Sequence, residues 1–449
     1  MVPPLSRRGF LRLAAGAGLT YAAARFLFPD ELAGAGRWLS RVGHAGAPAG
    51  GGSLASAGGG AAGLGASPAH AADALSELLR TAPVARWWAS TAQPGVACSV
   101  CHEGADLARL GVAPGTTSAT SHAHGTVLVE CLLCARHCAL KDGQRGDCGA
   151  RINSGGQMRS LVYGRPVAIH VDPIEKKPFY HFLPGSEAFS LATAGCPLHC
   201  EFCQNWEISQ SRPEDAPGEF VAPERIVGGA QGQRAPIVAF TYNEPTVFAE
   251  YFTDIARAGR ARGLRSVLVS CGIMTEEPLA EMCDVLDGIK IDLKGFSPEF
   301  YRKVSHAELE PVLRSIKQVA RSGRHLEIVN LVVPTLNDSD EMLGGLVKWV
   351  AGEVGPDVPV HFTRFHPDYK LQNLPPTPVE RLDKARELAL AAGIHYPYVG
   401  NVPGHPGNHT YCPGCGKAVI KRSGFLIEEK HVTGGACDYC GARIAGVWS

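Results

Sequence analysis

A chain of 449 residues exceeds the usual size of one compact domain, so a large central domain with smaller satellites is expected. Lys plus Arg total 43 and Asp plus Glu total 43, which excludes the broad electrostatic attraction that would mark a nucleic-acid or anionic-membrane binder. The 15 cysteines gather mostly in tight clusters, and CxxC spacing brings sulfurs onto one ion or cluster more naturally than it staples distant strands. Cys271 and Cys283 stand apart and read as small buried apolar residues.

In chain order, residues 1–28 come first, with Arg7 and Arg8 ahead of a weakly apolar run in "SRRGFLRLAAGAGLTYAAA". This resembles a twin-arginine export leader, a route that carries folded proteins with their cofactors inserted. The run is short, and Arg25 interrupts it, against the ~20 residues of a membrane span. Residues 29–72 form a linker whose second half, from Gly43 to Ala72, is almost wholly Gly, Ala, Ser and Pro and should be a flexible tether.

Residues 73–187 make a cysteine-rich module that opens on the amphipathic spacing of "DALSELLRTAPVARWW". Two of its segments are alike, "GVACSVCHEGADLARLG" and "LVECLLCARHCALKDGQRGDCG". Setting Cys98 on Cys131 puts Cys101 on Cys134 and Leu107 on Leu140, while Ala105 falls on Cys138, so the first reads as a decayed copy of the second. In the second, Cys131, Cys134, Cys138 and Cys148 supply the four thiolates that close either a zinc tetrahedron or a [4Fe-4S] cluster. "CSVCH", Cys98 to His102, formally matches c-type haem attachment. Descent from its neighbour argues against haem, and an exported location argues for it.

From 188 to 404 the texture is strand, then helix, repeated. Apolar runs "AFSLAT", "PIVAFTY", "RSVLVS", "GIKIDL", "LEIVNLVV" and "VPVHFTRF" alternate with helical stretches such as "VFAEYFTDIARAGRARG". These predict an α/β fold, a partial (β/α)6 TIM-type barrel with its chemistry at the C-terminal ends of the strands. Residues 405–449 carry two knuckles, "CPGCG" and "CDYCG", whose Cys412, Cys415, Cys437 and Cys440 suit a zinc ribbon or a rubredoxin-like iron site. Their glycines let backbone amides turn toward the sulfurs. The tail has no basic stripe, so no nucleic-acid partner is expected.

The loop after the first barrel strand, "LATAGCPLHCEFCQNWEIS", holds Cys196, Cys200 and Cys203 spaced CxxxCxxC. A [4Fe-4S] cluster on three thiolates leaves one iron without a protein ligand. A zinc knuckle or structural cluster would instead need a fourth ligand such as Cys271 or His199.

This loop resembles that of the radical S-adenosylmethionine (SAM) enzymes. The resemblance implies a [4Fe-4S] cluster whose open iron is chelated by SAM, with reductive cleavage to methionine and a 5′-deoxyadenosyl radical that abstracts hydrogen from a substrate. It also implies the aromatic Phe202 before the third cysteine, and Asn243 and Glu244 of "FTYNEPT" as holders of the SAM ammonium. Asp292 and Lys294 of "KIDLKGF" lie on one face of the fourth strand, to bind SAM's carboxylate or a substrate or simply to pair with each other. His361, Arg364 and His366 of "HFTRFHPDYK" are placed to contact ribose or substrate, with a structural role for at least one of the histidines.

Together with "CLLCARHC", "YVGNVPG" and "YCPGCGKAVIKRSGF", these motifs resemble the AmmeMemoRadiSam-system radical SAM proteins over Val127 to Val447. Those proteins are relatives of pyruvate formate-lyase activating enzyme. The resemblance implies an electron donor, AMMECR1-like or Memo-like proteins as partners, and hydrogen abstraction from a protein glycine. The leader implies an exported or membrane-anchored protein, whereas SAM and strong reductants belong to the cytoplasm, so a domain tethered on the cytoplasmic face is the alternative. The competing classes are a non-catalytic iron-sulfur electron carrier and a zinc-ribbon scaffold for a partner protein.

Overall fold

The computed structural model describes residues 68–90, 128–216 and 218–449; the twin-arginine-like leader, almost all of the linker and the Cys98–His102 segment lie outside the described residues. The chain divides into Met1–Asp73 and Ala74–Ser449, and every strand below belongs to the second unit. Among the described residues no helix is long and apolar enough to cross a membrane.

The helix Pro68–Thr81 stops just before Pro83 and buries Leu78 with Ala82 against Ile152 and Leu161. Beside it lie a three-stranded antiparallel sheet, β1 (Trp88–Ser90), β2 (Val129–Cys131) and β3 (Ala139–Leu140), and a hairpin, β4 (Arg151–Ser154) and β5 (Gln157–Ser160). One buried ion pair fixes this region to the main domain: the Arg151 guanidinium meets Glu250, whose Oε1 also accepts from the Arg86 N–H at 2.8 Å.

The main sheet has eight strands in the spatial order β13-β12-β11-β10-β9-β8-β7-β6. β6 (Ala168–Pro173) runs antiparallel to β7 (Glu187–Ala192). From β7 onward every pairing is parallel, through β8 (Ile237–Phe240), β9 (Arg265–Ser270), β10 (Gly288–Asp292), β11 (His325–Val332), β12 (Val360–Arg364) and β13 (Pro397–Gly400). Sequential neighbours joined by helices are the layout of a TIM-type barrel, and with β6 and β13 unpaired to each other the barrel is partial. The parallel strands are buried on both faces, as in β8, where all four residues are enclosed.

The sheet is larger than the six expected units by β6 and β13. β6 also draws the end of the expected cysteine-rich module into the barrel. Its His170 and Asp172 alternate with Ile169 and Val171, so no apolar run announces it.

The segment between β6 and β7 plugs the N-terminal end of the barrel. Ile174, Phe179 and Phe182 pack on Ala188, Ile237 and Val267, and Gly288 leaves just enough room for the Phe182 ring. The backbone N–H groups of Tyr180 and His181 donate to the two oxygens of Glu327 at 3.0 and 2.8 Å.

The C-terminal module docks on this plugged end. It consists of β14 (Thr410–Tyr411), β15 (Ala418–Ser423), β16 (Leu426–Lys430), β17 (Val432–Thr433) and β18 (Ala436–Cys437). Buried Arg422 lies over the Tyr180 ring at 4.1 Å and donates to the Tyr180 carbonyl at 2.9 Å. Tyr396, Tyr398, Cys412, Val419 and Ile420 share one core.

Candidate functional site

β7 delivers the chain to Gly195, whose φ of +95° turns it sharply into the three-cysteine loop at the C-terminal mouth of the barrel. Burial pushes the Cys196 thiol well up, helped by the Glu244 carboxylate and by Cys200 and Cys203 beside it. Burial raises Cys200 as well, opposed by the Lys294 ammonium. Cys196 and Cys200 thus lie in a space that penalises their charge until a cation arrives. Cys203 Sγ lies 3.2 Å from the Ser209 hydroxyl. The loop is clamped from outside: Glu201 accepts the N–H groups of Lys370 and Leu371 at 3.0 and 3.2 Å, and its own N–H donates to Val304.

The "TYNEP" loop after β8 packs directly on this turn. Asn243 Nδ2 donates to the Gly195 carbonyl at 2.7 Å, and its Oδ1 is buried without a partner. Tyr242 holds an unusual φ of +72°, and its carbonyl accepts from Asn205 Nδ2 at 2.8 Å. Glu244 is turned inward: Oε1 accepts from Thr246 N, Thr246 Oγ1 and Ser270 Oγ, and Oε2 from the Cys271 N–H at 2.6 Å. Its carboxylate is therefore committed to protein donors.

Asp292 ends β10, and Lys294 follows it. The Asp292 carboxylate bridges Lys290 and Lys294, the latter at 3.3 Å. Burial would raise its pKa, but the ammonium groups of Lys290 and Lys294 hold it below the usual carboxylate range. Burial likewise works to lower Lys294, yet Asp292 and the thiols of Cys200 and Cys271 keep it well above the ordinary lysine value. Lys294 thus sits between the carboxylate and the cysteine loop, 5.6 Å over the Phe202 ring.

Arg364 closes β12 at the same end and donates from Nε to the Thr377 carbonyl at 2.8 Å. His366 meets Gln204 of the cysteine loop at 3.0 Å.

His361 lies elsewhere, and the expectation for it is corrected. It is the second residue of β12, near the plugged end, buried to 1% exposure. Its Nε2 meets Glu327 Oε2 at 2.6 Å, and its ring stacks on Tyr398 at 4.9 Å. Burial lowers its basicity, so it is a neutral packing residue there rather than a ribose contact.

Cys271, expected to be a buried apolar residue or else a fourth ligand, is buried and follows β9 at the mouth that carries the cysteine loop, bound through its N–H to Glu244 and raised by burial and by the nearby Glu244 and Cys196. Its position one step past a barrel strand was the available signal. His199, the other imagined fourth ligand, is instead bound to Gln210 Oε1 at 2.6 Å.

Two further cysteine groups are present among the described residues. Cys412, Cys415, Cys437 and Cys440 have sulfurs all within 4.8 Å of one another, with pairs at 3.6 and 3.9 Å. A tetrahedron of ~2.3 Å zinc–sulfur bonds has edges of about 3.8 Å, so this group fits one ion. Cys131, Cys134, Cys138 and Cys148 line one cavity together with Arg136, Arg151, Pro197 and Thr246.

The Radical SAM superfamily profile matches residues 190–347, from within β7 into the helix Asp340–Glu353. An uncharacterized protein, MJ0808, of Methanocaldococcus jannaschii is 43% identical over 318 residues, covering 70% of this chain and 95% of that protein. A pyruvate formate-lyase-activating enzyme of Listeria monocytogenes is 23% identical over 174 residues, covering 36% of this chain and 68% of the enzyme. A solved domain of pyruvate-formate lyase-activating enzyme from Bacteroides vulgatus superposes with a TM-score of 0.33 at 16% identity, over 36% of this chain and 98% of that domain. The superfamily works with a [4Fe-4S] cluster and SAM, and the residues fit both: three cysteines of one loop for the cluster, and the unpartnered buried Asn243 oxygen of the neighbouring loop for a donor such as an ammonium. With the cysteine triad at the strand mouth lying inside the matched region, this chain belongs to the radical SAM superfamily.

Proposed function

We propose that this protein is an activating-enzyme-like radical SAM oxidoreductase that abstracts hydrogen from a protein substrate, within an AmmeMemoRadiSam-type system. When bound, the cluster and SAM supply a 5′-deoxyadenosyl radical. The chain's own residues do the rest. Cys196, Cys200 and Cys203 would hold the cluster, Asn243 would accept from the SAM ammonium, and Lys294 would offer its charge to the SAM carboxylate. Glu244 braces the loop by binding the N–H groups of Thr246 and Cys271. Arg364 stands at the mouth for ribose or substrate.

The observation that carries the protein-substrate reading is an aromatic pair at the rim. Trp206, three positions beyond Cys203, is 40% exposed and stacks on Tyr369 at 5.3 Å and 12°. An exposed, rigid aromatic stack beside a reacting centre suits the docking of a polypeptide better than that of a small metabolite. Partners in this reading are a one-electron donor and an AMMECR1-like or Memo-like protein, and the leader resemblance places the enzyme at the membrane or beyond it, or tethered on its cytoplasmic face.

The test is anaerobic. Reconstituted and reduced protein should convert SAM to 5′-deoxyadenosine, and C196A/C200A/C203A should not. Added AMMECR1-like or Memo-like protein should then acquire a glycyl-radical EPR doublet. Sustained 5′-deoxyadenosine formation with no radical on any candidate partner protein defeats the activating-enzyme assignment while leaving the radical SAM chemistry standing. Reducible clusters without SAM turnover would mark an electron carrier instead.

A further inference from the structure

We propose that Cys131, Cys134, Cys138 and Cys148 hold a second iron–sulfur cluster of the cubane class, set against the loop of Cys196 so that electrons pass between the two sites. The four cysteines line one cavity, and so do Pro197, next to Cys196, and Thr246 of the "TYNEP" loop. The cage is preformed. The Cys131 N–H donates to the Cys138 carbonyl at 3.0 Å, and the Asp147 N–H points to Cys138 Sγ at 3.5 Å. An N–H aimed at a sulfur is the second-shell contact that steadies a bound thiolate.

Its size separates it from the C-terminal site. Among the described residues, Cys412, Cys415, Cys437 and Cys440 are the group whose ligand atoms converge within 4.8 Å; no three of the four cage thiols draw that close. A single zinc needs the tight tetrahedron, whereas a cubane interposes four irons and four sulfides between its thiolates and needs the wider one.

Contact with the barrel is direct. A Cβ on Gly195 would fall 2.3 Å from the Cys148 carbonyl oxygen, so Cys148 touches the residue before Cys196. Arg136 Nε donates to the Pro197 carbonyl at 2.9 Å, and Cys134 bridges to Met274 beyond β9. Each transfer is one electron: the cage cluster is oxidised, the Cys196 cluster is reduced, and no bond or proton moves. The electron comes from an external one-electron reductant, dithionite in the test. Only this last role rests on the proposed chemistry at Cys196.

The test compares full-length wild type, C196A/C200A/C203A and C134A/C138A, reconstituted anaerobically, by iron, sulfide and zinc analysis and by EPR after dithionite reduction. Wild type should carry about eight irons, and the variant lacking the Cys196 triad about four, with a cubane signal that SAM does not perturb. C134A/C138A should keep about four, with a signal that SAM does perturb. The wild-type spectrum should show spin–spin broadening absent from the sum of the variants. Zinc in place of iron in C196A/C200A/C203A, or about two zincs per wild-type chain rather than one, overturns the proposal. A wild-type spectrum equal to that sum overturns the electron transfer. Iron retained in C196A/C200A/C203A but absent from C134A/C138A sinks the Cys196 assignment and leaves the cage standing. Wild-type metal content decides the matter even where a variant fails to fold.

Discussion

Asn243 donates through Nδ2 to the carbonyl of Gly195 at 2.7 Å, joining the loop after β8 to the turn that launches the cysteine triad. The other end of the same amide, Oδ1, is buried and unpaired. One side chain thus both sets the loop and offers an acceptor. Asn243→Ala should weaken SAM binding ~10-fold or more, since a charge-assisted hydrogen bond is worth about 1.5–3 kcal/mol. Iron content should stay at the wild-type level. Isothermal titration with SAM, paired with iron analysis, reads both numbers.

Gly195→Ala should be far more damaging. The residue sits at φ +95°, and the new methyl would lie 2.3 Å from the Cys148 backbone oxygen, which cannot rotate away. The strain of about 1–2 kcal/mol for an L-residue at positive φ adds to that clash. Iron and sulfide per chain should fall several-fold after reconstitution, in contrast to Gly344→Ala, where a Cβ meets nothing within 4 Å.

Glu244→Gln tests the bracing role. The carboxylate accepts from four donors, among them the backbone N–H groups of Thr246 and Cys271. An amide would aim its own N–H at one of them. A buried donor left unsatisfied costs about 1–3 kcal/mol. The apparent Tm should drop by several degrees in differential scanning fluorimetry, at roughly 2–4 °C per kcal/mol.

Cys412→Ser with Cys440→Ser should remove about one zinc per chain and leave iron unchanged. The module shares its core with Tyr180, Tyr396 and Tyr398, so stripping the metal should also lower the thermal stability of the barrel. Elemental analysis alongside thermal unfolding checks both halves.

Acid should unfold the protein through the plugged end. Burial pushes His181 down to about 3, its ring held between the Ala445 carbonyl and the Tyr398 hydroxyl. The unfolded chain binds this proton below about 6.5 while the folded chain refuses it, so stability falls as pH drops from 6.5 toward 3. Glu327 acts in the same direction. Burial would raise it, but hydrogen bonds from His325 and His361 hold it below the usual carboxylate range, and that contribution fades as the carboxyl protonates. His181→Gln should flatten the dependence of Tm on pH across that window, measured on metal-free protein. An unchanged slope contradicts the assignment.

Much of this was legible from the sequence because local pattern and tertiary role agree. The runs that became β7 to β12 are apolar and β-branched since both of their faces are covered, and the CxxxCxxC spacing marks its loop without any knowledge of the fold. What stayed hidden depends on distant partners. β6 reads as a loop because His170 and Asp172 face polar company, Lys176 and Lys177 meeting Asp172 at 2.8 and 2.6 Å. His361 looked like a mouth residue because its motif is contiguous with Arg364 and His366; only the fold reveals Glu327, 34 positions earlier, as its partner. β13 is four residues long and starts on proline, which conceals a strand.

The cork of Ile174, Phe179 and Phe182 closes one end of the barrel and leaves the rim that carries the cysteine loop as the open end. If the substrate is a polypeptide, as proposed, a segment entering at that rim would reach inward as a narrow finger of backbone while its bulk waits outside.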